Sequence, residues 1–496
     1  MSNRNANSIA TGALLVVAMR WSDRLIGIVS TLILARLLLP EDFGIVAMAS
    51  VVVGLIDVVL DFGVQVALIQ NRQTDDDDYH GAWTLRLLQS LAAALLIAGL
   101  ALPAGDFFGD PRVGPVLFVM ALTVLLAGAE NIGIVDFQKG LRFGSDFRFF
   151  FFRRLAGFVI TIALALAFRS YWAMVVGALA GRLTGVVLSY GMHPFRPRLS
   201  TRRFGALWSF SQWVMVCNIG QHANGNLDRL LLGRGNGASA VGSYSLAAEI
   251  SAMPTSELLM PLNRVLFPAF AAMGADRPRL IRAVRTALGV QASIAIPAAL
   301  GLAAIAPVAV PFLLGDRWLP AIPLVQVLAL IGAVTALGAS SSNLLLSQGR
   351  VQLQAAVLWI QVSLFIAAGV WLMPAVDPLQ LAWLRLGTAT AGLLALQALV
   401  LRAIDDLRAW HLVAETWRPL LASAAMVGLL AVLPAPDQWP SVLKLAWMIL
   451  CGAVCYGVSL VTLWRLARCP DGAESYLLES VRSRVGAATR PGRDSG

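Results

Sequence analysis

The chain has 496 residues, of which 58% are hydrophobic and only 13% are charged, and its formal net charge is +10. So many apolar side chains cannot be hidden from water in a chain of this size, which excludes a soluble globular enzyme, a disordered protein and a coiled coil. The composition is typical of a polytopic membrane protein, and the positive charge must be located before a nucleic-acid partner is considered.

Apolar stretches of about 20 residues, the length that crosses roughly 30 Å of hydrocarbon, recur along the whole chain. No loop between them is long enough to form a separate domain. They predict an all-α fold of fourteen membrane spans, at 12–38, 43–70, 82–103, 113–138, 149–168, 171–193, 207–233, 239–268, 286–314, 321–347, 351–373, 379–401, 413–433 and 442–464.

Basic residues are concentrated in alternate loops. The loops after spans 4, 6, 8 and 12 and the C-terminal tail hold most of them, whereas the opposite loops hold little beyond Arg112, Arg169, Arg234 and Arg317. The positive-inside rule therefore predicts that both termini are cytoplasmic. This distribution accounts for most of the surplus positive charge, so no nucleic-acid partner is expected.

An internal repeat divides the predicted spans. A shift of 198 positions aligns two hairpins, bringing together Gly27 and Gly225, Arg36 and Arg234, and Gly44 and Gly242. Six spans separate the copies, and an even number preserves orientation, so the repeats would be parallel. The expected organisation is a first six-helix lobe at 1–195, a cytoplasmic linker at 196–206, a second six-helix lobe at 207–404, two further helices at 405–466 and a basic cytoplasmic tail at 467–496.

Ionisable residues inside the spans are the candidates for function, because a charge near the bilayer centre costs about 3 kcal/mol or more. Span 1 carries Arg20, Asp23 and Arg24 on one helical face, and Arg36 near its outer end. One carboxylate cannot neutralise two arginines, so positive charge is left over. Arg86 in span 3 and Arg182 in span 6 are further charges within the membrane.

Polar side chains at helical spacing form a stripe along span 7, and such a stripe cannot face lipid. Its candidate cavity-lining residues are Asn218, Gln221, His222, Asp228 and Arg229. Together with span 1 they predict a hydrated cavity whose arginines bind an anionic group, since guanidinium forks match phosphate and carboxylate geometry. The alternative is that Asp–Arg pairs only lock the helices together, and for His222 the alternative is a core residue.

Three acidic residues are candidates for ion coupling: Asp57, Asp61 and Glu130. Asp57 and Asp61 lie one turn apart in span 2, where they either carry protons or a cation or pair with the arginines of span 1. The sequence does not choose between these roles.

No cofactor is expected. The only two lysines, Lys139 and Lys444, do not belong to a phosphate-binding loop, so ATP hydrolysis by that route is excluded. Transport would then draw on a proton or cation gradient or on the membrane potential. Cys451 and Cys455 are one helical turn apart without His or carboxylate partners, so no metal site is predicted.

Several short motifs resemble those of a known family. They are the run from Arg36 to Gly44 (RLLLPEDFG), Asp61-Phe62-Gly63, Asn226-Leu227-Asp228-Arg229, and Phe267-Pro268. In order and spacing they are similar to the polysaccharide transporter family of the multidrug/oligosaccharidyl-lipid/polysaccharide exporter superfamily, especially Wzx-type flippases of the branch that resembles the colanic acid exporter.

The resemblance implies two six-helix lobes plus two terminal helices in the bacterial inner membrane. It implies alternating-access flipping of undecaprenyl-diphosphate-linked oligosaccharide units for exopolysaccharide, capsule or O-antigen synthesis, with Arg24 as the substrate-binding arginine of span 1. The implied partners are the lipid-linked oligosaccharide and the bilayer, together with a polysaccharide polymerase and chain-length or export machinery.

Three rival functions make different demands on the sequence. A drug or cation antiporter of the same superfamily would favour an aromatic and acidic cavity, which the arginines of span 1 contradict. A membrane polymerase or ligase would gather catalytic residues in a sizeable extramembrane loop, and the loops here are short. A non-transporting scaffold would not need charges inside the membrane.

Overall fold

The architecture is helical, as seen in a computed structural model that describes residues 2–60, 68, 75–200, 212–274, 276–372, 377–404, 406–433, 436, 438–469, 472 and 475. The regular structure in these residues consists of α-helices and two short 3-10 turns, at Ile132–Ile134 and Asp316–Ala321. The prediction of an all-α polytopic membrane protein is confirmed.

The helices are numbered here in chain order. They are α1 (Ser2–Leu37), α2 (Pro40–Leu60), α3 (Asp76–Phe108), α4 (Val113–Ala129), α5 (Val135–Lys139), α6 (Phe143–Phe168), α7 (Trp172–Met192), α8 (Gln212–Ala272), α9 (Arg277–Leu314), α10 (Ile322–Ser347), α11 (Val351–Leu372), α12 (Pro378–Ala403), α13 (Ala409–Val432) and α14 (Ser441–Leu466).

Length and hydropathy identify the helices that can cross a membrane. Among the described residues nine helices are long and apolar enough, or ten if the bent segment Val113–Ala129 plus Ile132–Lys139 counts as one span. The other three long helices are α1, α8 and α13; charged side chains recur along α1 and α8, and α13 carries Glu415 and Arg418 in its first half. Every predicted span coincides with a helix in the part of the chain that the structure describes.

One predicted span differs from a continuous helix. Span 4 bends by 65° between Ala129 and Ile132. At the bend Asn131 caps the following 3-10 turn, because its side-chain oxygen accepts a hydrogen bond from the Gly133 amide at 2.9 Å. Spans 7 and 8 are separate helices that meet at a kink at Gly237, whose φ of 76° is readily adopted by glycine, and they are labelled together as the two arms of α8.

The chain divides into two compact units, Met1–Ser245 and Leu246–Gly496. In the first unit α6 packs against α7, α1 against α6, and α4 against α2, α3 and α7. Small residues bring α6 and α7 close: a Cβ on Gly157 would lie 3.2 Å from the Gly177 carbonyl oxygen, and one on Gly177 would lie 1.8 Å from the Thr161 hydroxyl. The predicted lobe limits at 195 and 404 stay a prediction.

The start of α2 and the second arm of α8 approach backbone to backbone within the first unit. A Cβ on Gly44 would lie 1.7 Å from the Ala238 carbonyl oxygen, and one on Gly242 would lie 1.7 Å from the Pro40 carbonyl oxygen. Gly44 and Gly242 are also paired by the 198-residue repeat, as are Pro40 and Ala238. The contact is therefore reciprocal, as a two-fold axis between two copies would make it.

An ion group clamps the loop between α3 and α4. Arg112 contacts Glu41 at the start of α2 and donates to Asp110 from Nε at 2.9 Å and from Nη2 at 2.8 Å. These hydrogen bonds hold the pKa of the Asp110 carboxyl below its ordinary value. The loop is thereby tied to α2.

In the second unit α9 packs against α10, α13 and α14, and α12 against α10 and α11. Two polar contacts attach the terminal helices to α9. Arg285 donates to Glu415 on α13 from Nη2 at 2.7 Å and from Nε at 3.0 Å, and the Tyr456 hydroxyl on α14 donates to the Ser293 carbonyl oxygen at 2.8 Å.

Candidate functional site

The charges of α1 lie in the first unit and reach α6. Arg20 and Asp23 are exposed and Arg24 is half-buried. Asp23 Oδ1 lies 3.1 Å from Nε of Arg154, and a Cβ on Gly27 would lie 3.2 Å from Nη2 of the same arginine. The predicted charged face of span 1 is therefore extended by a second helix.

A buried carboxylate, Glu130, gathers three arginines from three helices. Its Oε2 lies 3.3 Å from Nη2 of Arg86 on α3. Its Oε1 lies 3.2 Å from Nη1 of Arg153 on α6 and 3.5 Å from Nη1 of Arg182 on α7. The Glu130 side chain is 2% exposed, whereas those of Arg86, Arg153 and Arg182 are 17%, 27% and 34% exposed.

This arginine cluster, defined as Arg86, Arg153 and Arg182 around Glu130, carries three positive charges and one negative charge. Burying charge in a membrane protein is costly, so a surplus of two positive charges requires an explanation. One carboxylate cannot satisfy three guanidinium groups, each of which has five N–H donors. The cluster is therefore suited to receive an anion.

Glycines at helix crossings make room for the cluster. A Cβ on Gly185 of α7 would lie 2.8 Å from Oε1 of Glu130 and 2.6 Å from Cδ of Arg153. On α4, a Cβ at Gly128 would lie 2.5 Å from the Ser90 hydroxyl and 3.1 Å from the Arg86 carbonyl oxygen. The bend after Ala129 then directs Glu130 between α3, α6 and α7.

The polar stripe of span 7 is divided between several environments. Asn218 and Gln221 are exposed. His222 packs on α2, where a Cβ on Gly54 would lie 2.5 Å from its Cε1, and its buried Nε2 makes no hydrogen bond.

Farther along α8, Arg229 donates to Asn226 at 2.7 Å, and Asn226 donates to the His222 carbonyl oxygen at 3.0 Å. Asp228 is buried and accepts a hydrogen bond from Tyr244 at 2.8 Å. Asp228 thus joins the two arms of α8.

The remaining predicted residues do not join the arginine cluster through any described contact. Arg36 is exposed at the outer end of α1, and Asp57 is exposed on α2. Asp61 lies outside the described residues. Among the described residues, no group of three or more His, Cys, Asp or Glu is placed to hold a metal ion.

The sequence reasoning missed Arg153 and Arg154, and it treated Arg86, Arg182 and Glu130 as isolated charges. Arg153 and Arg154 lie inside predicted span 5, in the run Phe149–Phe152 followed by two arginines. Two adjacent arginines within an apolar span are a signal of function by the same rule that selected Arg20 and Arg24.

Two curated relatives show what the sequence is similar to. The chain is 27% identical over 351 residues to the lipopolysaccharide biosynthesis protein WzxC of Escherichia coli, covering 69% of this chain and 70% of the relative. It is 28% identical over 300 residues to the succinoglycan biosynthesis transport protein ExoT of Rhizobium meliloti, covering 60% and 61%.

Solved structures share the fold. The lipid II flippase MurJ in an inward closed conformation superposes with a TM-score of 0.74 at 12% identity, covering 91% of this chain and 99% of that one. An inward-facing multidrug resistance MATE family transporter gives a TM-score of 0.52 at 14% identity, covering 83% and 96%. The sequence pattern of the family described as polysaccharide biosynthesis protein matches residues 33–323, more than half of the chain. The protein therefore belongs to this polysaccharide biosynthesis protein family, and the predicted kinship with Wzx-type polysaccharide flippases is confirmed.

Proposed function

We propose that the protein is a flippase that moves undecaprenyl-diphosphate-linked oligosaccharide units across the inner membrane by alternating access. The observation that carries the proposal is the arginine-rich contact between α1 and α6 in the first unit, where Asp23, which shares one face of α1 with Arg20 and Arg24, pairs with Arg154. Membership of a polysaccharide biosynthesis family and relatives named as polysaccharide biosynthesis and transport proteins support the substrate class.

The chemistry of such a substrate explains the arrangement. Its sugar head and diphosphate are too polar to cross hydrocarbon, and its prenyl tail is too apolar to leave it. Arginines in a protein interior can hold the diphosphate bidentately while the tail stays in lipid. A change in which side of the membrane the interior faces then moves the head group across.

The direction and the energy source belong to the same proposal. The distribution of basic loops supports cytoplasmic termini and export toward the periplasm. Movement would draw on a proton or cation gradient or on the membrane potential, and Asp57 and Asp61 of predicted span 2 are the candidates to couple it. A polysaccharide polymerase and chain-length or export machinery would take up the product.

Substitution of Arg24 by alanine tests this function in cells. In a deletion strain that lacks its own copy of the flippase, we expect Arg24→Ala to lower exported polysaccharide at least about tenfold, since a charge-assisted hydrogen bond to the substrate is lost. The measurement is cell-surface polysaccharide normalised to the amount of membrane-inserted protein.

The matched control is Arg279→Ala. This arginine is exposed at the start of α9, outside the apolar part of that helix, and should export as well as wild type. Full export by Arg24→Ala would contradict a cationic transport pathway through α1. Export of a cationic drug instead of polysaccharide would favour the antiporter.

A further inference from the structure

We propose that the arginine cluster is a subsite for the diphosphate of the substrate, and that Glu130 is the counter-ion that holds its three guanidinium groups together. The inference rests on the proposed function for the class of substrate. It adds a binding site, formed by Arg86, Arg153 and Arg182, that lies on helices other than α1 and α8.

The charges balance when a diphosphate is present. A diphosphate esterified at both ends carries one negative charge on each phosphate. The cluster has a surplus of two positive charges, so the bound state is neutral. Without an anion the same surplus stays inside the membrane protein, which is unfavourable.

The hydrogen bonds of the cluster leave donors for a ligand. The three arginine–Glu130 distances are 3.2, 3.3 and 3.5 Å, longer than the 2.7–2.9 Å that is typical of charge-assisted bonds. Nη1 of Arg86 is buried and makes no hydrogen bond in the structure. Arg153 is steadied from the side by the rings of Phe149 and Phe150, at 5.6 and 5.0 Å from its guanidinium carbon.

A second ion group, in which two arginines surround one glutamate, serves as a structural comparison. In the second unit Arg285 donates two hydrogen bonds of 2.7 and 3.0 Å to one oxygen of Glu415, and Arg418 is 5% exposed. These are the short, two-point contacts of a helix clamp. Glu130 makes longer, single contacts to three arginines, so the arginine cluster is held together less tightly than the pair of Arg285 and Glu415.

The cluster continues into the charged face of α1. Arg154, the residue after Arg153, pairs with Asp23. A ligand bound between Arg153 on α6 and Arg182 on α7 would therefore contact α6, and α6 also contacts the arginine-rich face of α1. This continuity favours the substrate head group over a structural role.

Chemical modification of the unaltered protein tests the subsite. Full-length protein in phosphatidylcholine nanodiscs is treated with phenylglyoxal, which modifies accessible arginines, and each site is quantified by mass spectrometry. The probe is a short-chain prenyl diphosphate esterified to one N-acetylhexosamine. We expect it to lower modification of Arg86, Arg153 and Arg182 at least about threefold and to leave Arg285 unchanged.

Three further arms identify the ligand. The corresponding prenyl monophosphate should protect less than the diphosphate, and the uncharged prenol should not protect. Nanodiscs containing phosphatidylglycerol without the probe should not protect. Equal protection by the monophosphate or by phosphatidylglycerol would overturn the assignment to a diphosphate.

A binding measurement with variants completes the test. Arg182→Gln should weaken binding of the diphosphate probe at least about tenfold, because a charge-assisted contact is removed, while Arg285→Gln should bind as wild type. Wild-type protein that flips the probe in proteoliposomes without protecting the cluster would refute the subsite and leave the proposed function standing. Failure of wild type both to flip and to bind the probe would remove both.

Discussion

At the scale of single residues, two carboxylates of the first unit show how burial determines the contribution of an ion pair to stability. Glu130 is 2% exposed and lies among three arginines, whereas Asp23 is 67% exposed beside Arg154. Removing one partner of a buried ion group leaves uncompensated charge, which costs about 3–5 kcal/mol, whereas an exposed pair contributes about 0–1 kcal/mol.

We therefore expect Glu130→Gln to lower the free energy of unfolding by about 3–5 kcal/mol, because three arginines would face each other without a counter-ion. Asp23→Asn is the matched control and should change it by less than about 1 kcal/mol. The measurement is unfolding in detergent followed by tryptophan fluorescence.

A double variant separates charge from packing. Adding Arg182→Gln to Glu130→Gln removes one of the repelling positive charges, and stability should partly recover. A double variant less stable than Glu130→Gln alone would show that packing, and not charge, dominates at this site.

At the scale of helices, close contacts at small residues determine which elements approach. The reciprocal contact of Gly44 with Ala238 and of Gly242 with Pro40 leaves no room for a methyl group on either glycine. Such crossings depend on glycine because a Cβ would have to displace backbone atoms, which cannot rotate away as a side chain can.

Gly44→Ala should accordingly separate α2 from α8, cost about 1–3 kcal/mol and reduce transport. Gly99→Ala on α3 is the matched control, since nothing lies within 4 Å of its Cβ position, and it should be neutral or slightly stabilising. Stability is read from unfolding in detergent, and transport is read from flipping of the short-chain prenyl diphosphate probe in proteoliposomes. Wild-type behaviour of Gly44→Ala would mean that the two segments are not packed this closely.

Local backbone geometry accounts for the departure of span 4 from a continuous helix. Hydropathy cannot locate the bend of span 4, because Glu130 and Asn131 interrupt an apolar stretch only briefly. Hydropathy does separate spans 7 and 8 at their polar junction, where the backbone is non-helical at Gly237.

At the scale of the whole molecule, orientation follows from the loops. Alkaline phosphatase is active only in the periplasm, so a fusion after Ser170, between α6 and α7, should be active. A fusion after Gly140, between α5 and α6, should be inactive because basic residues hold that loop in the cytoplasm. The reverse pattern would overturn the predicted orientation and with it the direction of export.

The internal repeat also belongs to this scale. Landmarks 198 positions apart in the sequence come together as a reciprocal contact, which a two-fold relation between the hairpins explains. The two compact units divide within α8, after Ser245. Helix α8 therefore contributes to both units.

Local properties of the sequence by themselves determined the class of protein, the helices and the family. Apolar length and loop charge act over about 20 residues at a time, so they can be read along the chain without knowledge of packing. The charged face of span 1 was visible for the same reason.

The arginine cluster was decided only by the tertiary structure. Glu130 is separated in sequence by 44, 23 and 52 residues from Arg86, Arg153 and Arg182. Four helices must pack, with a bend after Ala129 and glycines at the crossings, before these side chains meet. The sequence alone shows that each of these charges lies in an apolar span. Only the packing of the helices shows that the four side chains contact one another.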